Sequence, residues 1–274
     1  MHRLTPAEMI SLIRAQKPFE AVSDDYAFRL KVEAYIPLVC GAVHEGHQFR
    51  PSLWERCTHT AYERWYEEDP CTLSMVSGHP IVISGCDSRF EYDLNRPPDT
   101  AVYEDAWGKP LWKQRLPQKE KDRSLEKHHR FYEVVHALVE TLEALHGAVL
   151  VVDMHSYNWK RWDRPVPTWN LGTHNIDNQR FGGVMEAWRS RLADIRLPHD
   201  IPPTALINDT FYGNGYFLKY ITGHFDHTLV MATEIAKVYC DESSGVIYPE
   251  VVASVRRQLK ELIPLQLLEF QQAL

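Results

Sequence analysis

Short apolar runs and helical stripes of apolar residues alternate along the chain. The runs that are typical of buried strands cover residues 37–43, 80–84, 148–155, 204–207 and 228–235. The helical stripes cover residues 5–17, 51–68, 125–145, 179–195 and 248–272. Continuously apolar strands are typical of parallel sheets that helices cover on both faces. We therefore predict an α/β fold, a single domain over residues 1–274, with a mixed, mostly parallel sheet and helices on both faces.

Two helix ends are marked by their capping residues. Thr5-Pro6-Ala7-Glu8 is a capping box, with Thr5 as the N-cap and Pro6 at the first helical position. Gly147 follows the stripe over 125–145, as glycine commonly follows a helix. The next run, 148–155, is apolar and rich in β-branched residues until Asp153, which predicts a central strand. Ligands of such sheets bind outside the carboxyl ends of the strands, so polar residues at those ends are site candidates.

Two long stretches carry no regular pattern. Residues 95–122 and 158–178 are rich in proline, tryptophan and charge. Irregular stretches of this length usually cover a functional site or are disordered. Their tryptophans favour the first interpretation; these are Trp107, Trp112, Trp159, Trp162 and Trp169.

Composition excludes several classes of partner. The formal charge of the 274 residues is −7, and lysine and arginine are scattered among acids, so we expect no nucleic acid partner. No apolar run approaches the roughly 20 residues that span a bilayer, so we expect no membrane insertion. The five cysteines form no C-x-x-C pair and the start lacks a signal-peptide pattern. We expect reduced thiols in a cytoplasmic protein.

Three histidines follow predicted strands. His44 and His47 follow the run at 37–43, and His155 ends the central strand. A catalytic zinc commonly takes three protein ligands, two close in sequence and one distant, and keeps a fourth position for water. The alternative is that each histidine only caps a strand or bonds within the core. Asp153 lies two residues before His155, hence on the same face of the strand, where it could orient that imidazole.

A second group of polar residues follows the run at 80–84. Arg89, Asn95 and Arg96 lie in a segment that ends in Pro97-Pro98. Guanidinium groups pair with carboxylates and stabilise the oxyanion that develops on a scissile carbonyl. The alternative for Arg89 is a surface ion pair with Glu91 or Asp93.

One carboxylate lies near the end of an apolar strand. Glu234 has apolar neighbours on both sides in the run at 228–235. Burial of a carboxyl group is unfavourable unless the group is paired or used, so Glu234 is a candidate general base. The alternative is an exposed residue on an edge strand.

These motifs, taken in order, resemble the N-formylglutamate amidohydrolase family, which is related to the zinc carboxypeptidases and aspartoacylases. The resemblance covers about residues 38–242. It rests on five segments: 44–51, 88–98, 152–156, 208–216 and 232–235.

The resemblance implies a zinc-carboxypeptidase-like fold and one zinc ion per chain. His44, His47 and His155 would hold the ion, with Glu45 as the alternative to His47 because related enzymes use a glutamate there. Histidine sites also accept other divalent ions.

The resemblance also implies roles for the remaining residues. Glu234 would accept a proton from zinc-activated water, and Arg89 would stabilise the oxyanion. Asn95 and Arg96 would bind the carboxylate of a small acidic N-acyl amino acid such as N-formylglutamate. The alternatives are a zinc carboxypeptidase, an acyl-amino-acid deacylase, or a non-catalytic binding protein on the same fold. The presence of Glu234 together with three histidines is evidence against a non-catalytic binding protein.

Overall fold

The apolar runs of the sequence form the central strands of a nine-stranded sheet, and a short hairpin lies apart from it. The computed structural model describes residues 1–274. The strands are, in chain order, β1 (His2–Leu4), β2 (Phe19–Ser23), β3 (Phe28–Val32), β4 (Leu38–Ala42), β5 (Ile81–Gly85), β6 (Asp105–Ala106), β7 (Lys109–Pro110), β8 (Val149–Tyr157), β9 (Trp169–Gly172), β10 (Ala205–Ile207) and β11 (Thr228–Ala236). The helices are α1 (Pro6–Arg14), α2 (Pro51–Trp54), α3 (Ala61–Glu67), α4 (Thr72–Val76), α5 (Gln118–His146), α6 (Asn178–Ala193), α7 (Tyr216–His224) and α8 (Pro249–Gln272).

The large sheet is mixed and mostly parallel, which confirms the predicted fold class. Its strand order is β1-β2-β3-β5-β4-β8-β11-β9-β10. The antiparallel pairs are β2 with β3, β3 with β5, and β9 with β11; the other neighbours are parallel. The strands β5, β4, β8 and β11 are parallel and adjacent, so their carboxyl ends meet at one edge of the sheet.

Alternate residues of the central strands face two separate cores. Leu150, Val152 and Met154 of β8 pack with α4, α6 and α8. Val149 and Val151 face the opposite core, with α1, α5 and α7. Both faces of the sheet are therefore covered, which is the reason these strands are apolar without interruption. None of the helices is long and apolar enough to cross a membrane.

The capping residues predicted from the sequence lie at helix ends in the structure. The Thr5 side chain accepts from the backbone of Glu8, and the Glu8 side chain accepts from the backbone of Thr5. Gly147 ends α5 in the left-handed region, with φ of 79°. α5 begins at Gln118, seven residues before the predicted start at residue 125, because its first turns are polar and carry no apolar stripe.

The single helix predicted over 51–68 is wrong. The segment forms two short helices, α2 and α3, because Thr60 caps α3 with a capping box of its own, closed by Glu63. The apolar spacing is helical in both pieces. The capping box at Thr60 starts a new helix and so interrupts the one predicted helix.

Five of the loop tryptophans were predicted to cover a site, and the structure divides them. Trp107 and Trp162 line a cleft at the carboxyl edge of the sheet. Trp169 lies instead in β9 within a core, and Trp112 is buried against Phe49 with parallel rings 6.3 Å apart. Trp159 lies outside the cleft, partly exposed.

Candidate active site

Three buried side chains converge at the carboxyl edge of the sheet. One ligand atom from each of His44, Asp69 and His155 lies within 4.8 Å of the other two. Asp69 Oδ2 lies 3.4 Å from His44 Nδ1 and 3.0 Å from His155 Nδ1. We call these three residues the three-ligand cluster.

The fold brings the cluster together from distant parts of the sequence. His44 follows β4, and His155 lies near the end of β8, its parallel neighbour. Asp69 comes from the segment after α3, where its backbone N–H donates to the carbonyl oxygen of His44 at 3.0 Å. This backbone contact fixes the Asp69 side chain between the two imidazoles.

The second nitrogen of each imidazole faces a carboxylate. His44 Nε2 lies 2.6 Å from Asp93 Oδ1, and His155 Nε2 lies 3.0 Å from Asp153 Oδ1. Burial lowers the pKa of His155, but the nearby Asp153 and Asp69 outweigh it and raise that pKa well above its usual range. A carboxylate on the outer nitrogen of a metal-binding histidine fixes its tautomer and ring orientation, and here Nδ1 of both rings faces Asp69.

The donor set suits a divalent ion such as zinc. Two imidazole nitrogens and one carboxylate oxygen are common zinc ligands, and three protein ligands leave one coordination position open. The separations of 3.0 and 3.4 Å suit atoms that share an ion at bond lengths of about 2 Å. Burial raises the pKa of Asp69, but hydrogen bonds from His155 and His44 outweigh it and lower that pKa, so the oxygen is available as an anion.

Arg89 is held beside the cluster by Asp93. Its Nε and Nη2 donate to Asp93 Oδ2 at 3.2 and 2.8 Å, and its Nη1 donates to the carbonyl oxygen of Glu67. Tyr103 also donates to Asp93 Oδ2. Burial raises the pKa of Asp93, but Arg89 and His44 hold it well below its usual range. The guanidinium lines the cleft and retains unused N–H groups on both terminal nitrogens.

Glu234 lies next to His155 in the sheet. The two residues are register partners on β11 and β8, so their side chains project from the same face. Glu234 also lines the cleft. Burial raises the pKa of its carboxyl group to about 8. The charge of His155 acts to lower this pKa, and the charge of Asp69 acts to raise it.

The structure does not bring His47 into the three-ligand cluster. Its Nδ1 lies 2.7 Å from Glu68 Oε2, and its side chain is 47% exposed. The preceding Gly46 packs tightly against the next strand end, since a Cβ there would lie 2.4 Å from the backbone of Cys86 and Asp87. Burial lowers the pKa of His47, but the hydrogen bond with Glu68 outweighs it and raises that pKa.

Glu45, the alternative ligand, is engaged elsewhere. Its Oε2 accepts from the backbone N–H of Leu73 at 3.0 Å and from the Thr72 hydroxyl at 3.3 Å. It therefore satisfies the amino end of α4, where free N–H groups and the helix dipole favour a carboxylate.

The structure separates the two residues predicted to bind a substrate carboxylate. Asn95 lines the cleft, and its Oδ1 accepts from the backbone N–H of Phe217 in the first turn of α7. Its Nδ2 lies 3.5 Å from His155 Nε2. Arg96 does not line the cleft; its side chain is 50% exposed and its guanidinium lies over the ring of Tyr103.

The cleft has a volume of about 420 Å³ and is lined by the three-ligand cluster together with Arg89, Asn95 and Glu234. The segment 210–215 forms one wall, which includes Gly213 and Gly215. Both glycines are required for close approach: a Cβ on Gly213 would lie 2.7 Å from Gly172, and one on Gly215 would lie 2.3 Å from the Asn95 side chain. Clefts of this size bind small molecules.

Three residues at or beside the candidate site were not assigned to it from the sequence: Asp69, Asp93 and Lys237. Asp69 follows a helix rather than a strand, so its position carries no signal in the apolar pattern. Asp93 was predicted only as a possible surface ion-pair partner of Arg89; the structure contains that pair but buries Asp93, and it adds the contact with His44. Lys237 directly follows β11 and is three residues after Glu234.

One family model and several solved structures match this chain over the part that contains the candidate site. A family model described as N-formylglutamate amidohydrolase matches residues 36–236. The chain is similar to the crystal structure of N-formylglutamate amidohydrolase from Ralstonia eutropha JMP134, with a TM-score of 0.72 and 18% identity over 90% of this chain and 98% of that one. It is also similar to a gene product from Agrobacterium tumefaciens, with a TM-score of 0.67 and 19% identity over 89% of this chain and 96% of that one. No curated protein sequence matches the chain. At these identities the structural likeness shows a shared fold.

Proposed function

This chain belongs to the N-formylglutamate amidohydrolase family, and we propose from that premise that it is a metal-dependent hydrolase of N-formylated acidic amino acids. The family match over residues 36–236 confirms the family predicted from the sequence motifs. Those residues include the three-ligand cluster and Glu234. N-formylglutamate is the substrate that we propose, and formate and glutamate are the products.

We propose that the three-ligand cluster of His44, Asp69 and His155 holds one divalent ion and that this ion is zinc. This replaces His47 with Asp69 in the ligand set. Asp93, through its hydrogen bond with His44, and Asp153, whose Oδ1 lies 3.0 Å from His155 Nε2, would orient the two imidazoles. When bound there, such an ion supplies Lewis-acid chemistry: it lowers the pKa of water and polarises an acyl oxygen.

Glu234 is the proposed general base. Its carboxylate would take the proton of the attacking water and deliver it to the leaving nitrogen, so that the amide bond breaks and a free amino group results. The raised pKa of Glu234 suits the delivery step. A positive charge at the adjacent cluster favours the ionised carboxylate, which the first step requires.

Arg89 is the proposed oxyanion group. Its contacts with Asp93 fix the guanidinium in place before substrate arrives, so little reorganisation is needed when negative charge develops on the acyl oxygen. Asn95 is proposed to contact the substrate through Nδ2, since its Oδ1 is occupied by the backbone of α7.

The observation that carries this proposal is the position of Glu234 beside the three-ligand cluster at the ends of adjacent strands. The test is a substrate panel with the zinc-loaded protein: N-formyl, N-acetyl and N-succinyl glutamate, N-formylleucine and a short peptide. We expect kcat/KM to be highest for N-formylglutamate, by about tenfold or more over each of the others. Release of a carboxy-terminal residue from the peptide without any release of formate would instead assign a carboxypeptidase.

A further inference from the structure

Lys237 is a buried cation at the cleft for which the proposed chemistry has no use. It lies at the first position after β11 and is 1% exposed. It is one of the residues that line the cleft, together with Glu234 and Asp69. Its Nζ donates to the backbone carbonyl oxygen of Tyr66 and lies 5.6 Å from the centre of the Tyr66 ring.

No carboxylate pairs with this ammonium group. Asp69, Glu67 and Glu242 lie near enough to raise the pKa of Lys237, but none of them forms an ion pair with it. Each of those acids has other partners. Asp69 faces two imidazoles, and Glu67 pairs with Arg161. Glu242 accepts from the backbone N–H of Trp159 through Oε1, while its Oε2 has no hydrogen-bond partner.

The ammonium group is therefore only partly satisfied. A lysine offers three N–H donors, and one of them is used by Tyr66. Burial lowers the pKa of Lys237, as expected for a charge that lacks a partner. A buried charge without a counter-ion is unfavourable, and a bound ligand of opposite charge would supply the missing counter-ion.

The other cations of the cleft are already paired. Arg89 is paired with Asp93, and Arg161 is paired with Glu67. Arg96, which was predicted to bind the substrate carboxylate, does not line the cleft. Lys237 is thus the cleft cation whose charge is least compensated by the protein.

We infer that Lys237 is the counter-ion for one carboxylate of the substrate and sets the preference for acidic N-acyl amino acids. The inference rests on the proposed function, because it concerns the same cleft. A carboxylate of the substrate would accept from the free N–H groups of Lys237 Nζ while the acyl group lies between the three-ligand cluster and Glu234. The ligand class is a small dicarboxylate.

The test compares Lys237→Met with a matched control, Lys160→Met. Methionine keeps an unbranched side chain in the buried position and removes the charge. Lys160 is an exposed lysine of the short 3-10 helix Trp159–Arg161, with its Nζ 5.6 Å from the centre of the Trp159 ring, and it does not line the cleft. Rates are measured on N-formylglutamate and on its two monoamides, in which one carboxylate or the other is replaced.

We expect Lys237→Met to raise KM for N-formylglutamate about ten- to a hundredfold, with kcat changed less than about threefold, because a charged hydrogen bond is lost in ground and transition states alike. The wild type should already hydrolyse one of the two monoamides poorly. For that monoamide, Lys237→Met should lower kcat/KM by less than about threefold further. Lys160→Met should leave all three substrates unchanged. Equal losses on the diacid and both monoamides, or no loss on any of them, would overturn the inference.

A binding measurement separates this inference from the proposed function. Glutarate, a dicarboxylate without an amide bond, is titrated into the zinc-loaded wild type and both variants by calorimetry. Lys237→Met should weaken glutarate binding about tenfold or more, and Lys160→Met should not. Equal binding to wild type and Lys237→Met would overturn the role of Lys237, whatever the activity. Loss of binding in Lys237→Met, with no formyl substrate hydrolysed by the wild type, would support the site while rejecting the proposed reaction.

A purely structural role for Lys237 predicts a different result. If the contact with Tyr66 mainly held the fold, Lys237→Met would lower the melting temperature of the unliganded protein and depress all substrates together. We expect an unchanged or higher melting temperature, because the substitution removes a buried charge without a counter-ion.

Discussion

The ligand set can be decided by comparing Asp69→Asn with His47→Asn. The sequence motifs favour His47 as the second ligand, and the structure places Asp69 Oδ2 within 3.4 Å of both imidazole Nδ1 atoms. Asparagine preserves the shape of aspartate but loses its negative charge, so Asp69→Asn removes the one anionic member of the proposed ligand set. His47→Asn removes a hydrogen bond with Glu68 outside the cluster.

The expected size of the effect follows from the position of each side chain. Replacing a partner that only orients a ligand typically weakens metal affinity 10- to 100-fold, so loss of a direct ligand should weaken it by at least about 100-fold. That ratio corresponds to about 3 kcal/mol. His47→Asn should change affinity less than about threefold, since His47 contacts none of the three ligands.

The assay is zinc bound per chain after dialysis against a series of chelator-buffered zinc concentrations, measured by elemental analysis. Thermal melts of both variants check that the protein remains folded. Wild-type affinity in Asp69→Asn together with loss of zinc in His47→Asn would refute the geometric reasoning and restore His47 as the ligand.

Three further predictions test other parts of the account. Glu234→Gln should bind zinc normally but lose at least about a hundredfold in kcat, because an amide cannot accept the proton of water; activity within a few-fold of wild type would place the base elsewhere. Gly215→Ala should displace the Asn95 side chain, which a Cβ would approach to 2.3 Å, and lower kcat/KM at least about tenfold on N-formylglutamate, whereas Gly182→Ala, at an open helical position, should leave it unchanged. His79 has its pKa lowered to about 4 by burial, so the unfolded chain binds a proton that the folded chain does not as pH falls from about 6.5 to 4, and stability is lost over that window. His79→Leu should therefore reduce the loss of unfolding free energy between pH 7 and pH 4.5 by roughly 2 to 3 kcal/mol in urea titrations; an unchanged pH dependence would show that His79 is not responsible.

The central strands were predictable because burial on both faces leaves an unmistakable apolar run. β8 and β11 are long and contain almost no polar residue before their functional ends. Strands β1, β2 and β3, of which β1 is the edge strand, were not predicted. They are three to five residues long and carry charged residues, so they lack the continuous apolar run that marks the central strands.

The candidate site was predictable where chemistry follows directly from strand register. His44, His155 and Glu234 each lie at or near the carboxyl end of a predicted strand, and the parallel sheet brings these ends together. Asp69 was not predictable in this way, since it reaches the cluster through a backbone contact between residues 25 positions apart. Arg96 and His47 have the right chemistry in the right motifs, but turns direct both side chains away from the cleft.

The most direct test of the account is formate release from N-formylglutamate by the same protein preparation before and after metal removal. The wild type, stripped with a chelator, should release no formate above the uncatalysed rate and should recover full activity when one zinc ion per chain is restored. Formate and glutamate should appear in equal amounts. Undiminished formate release by the fully stripped protein, or no release after zinc is restored, would contradict the proposed function.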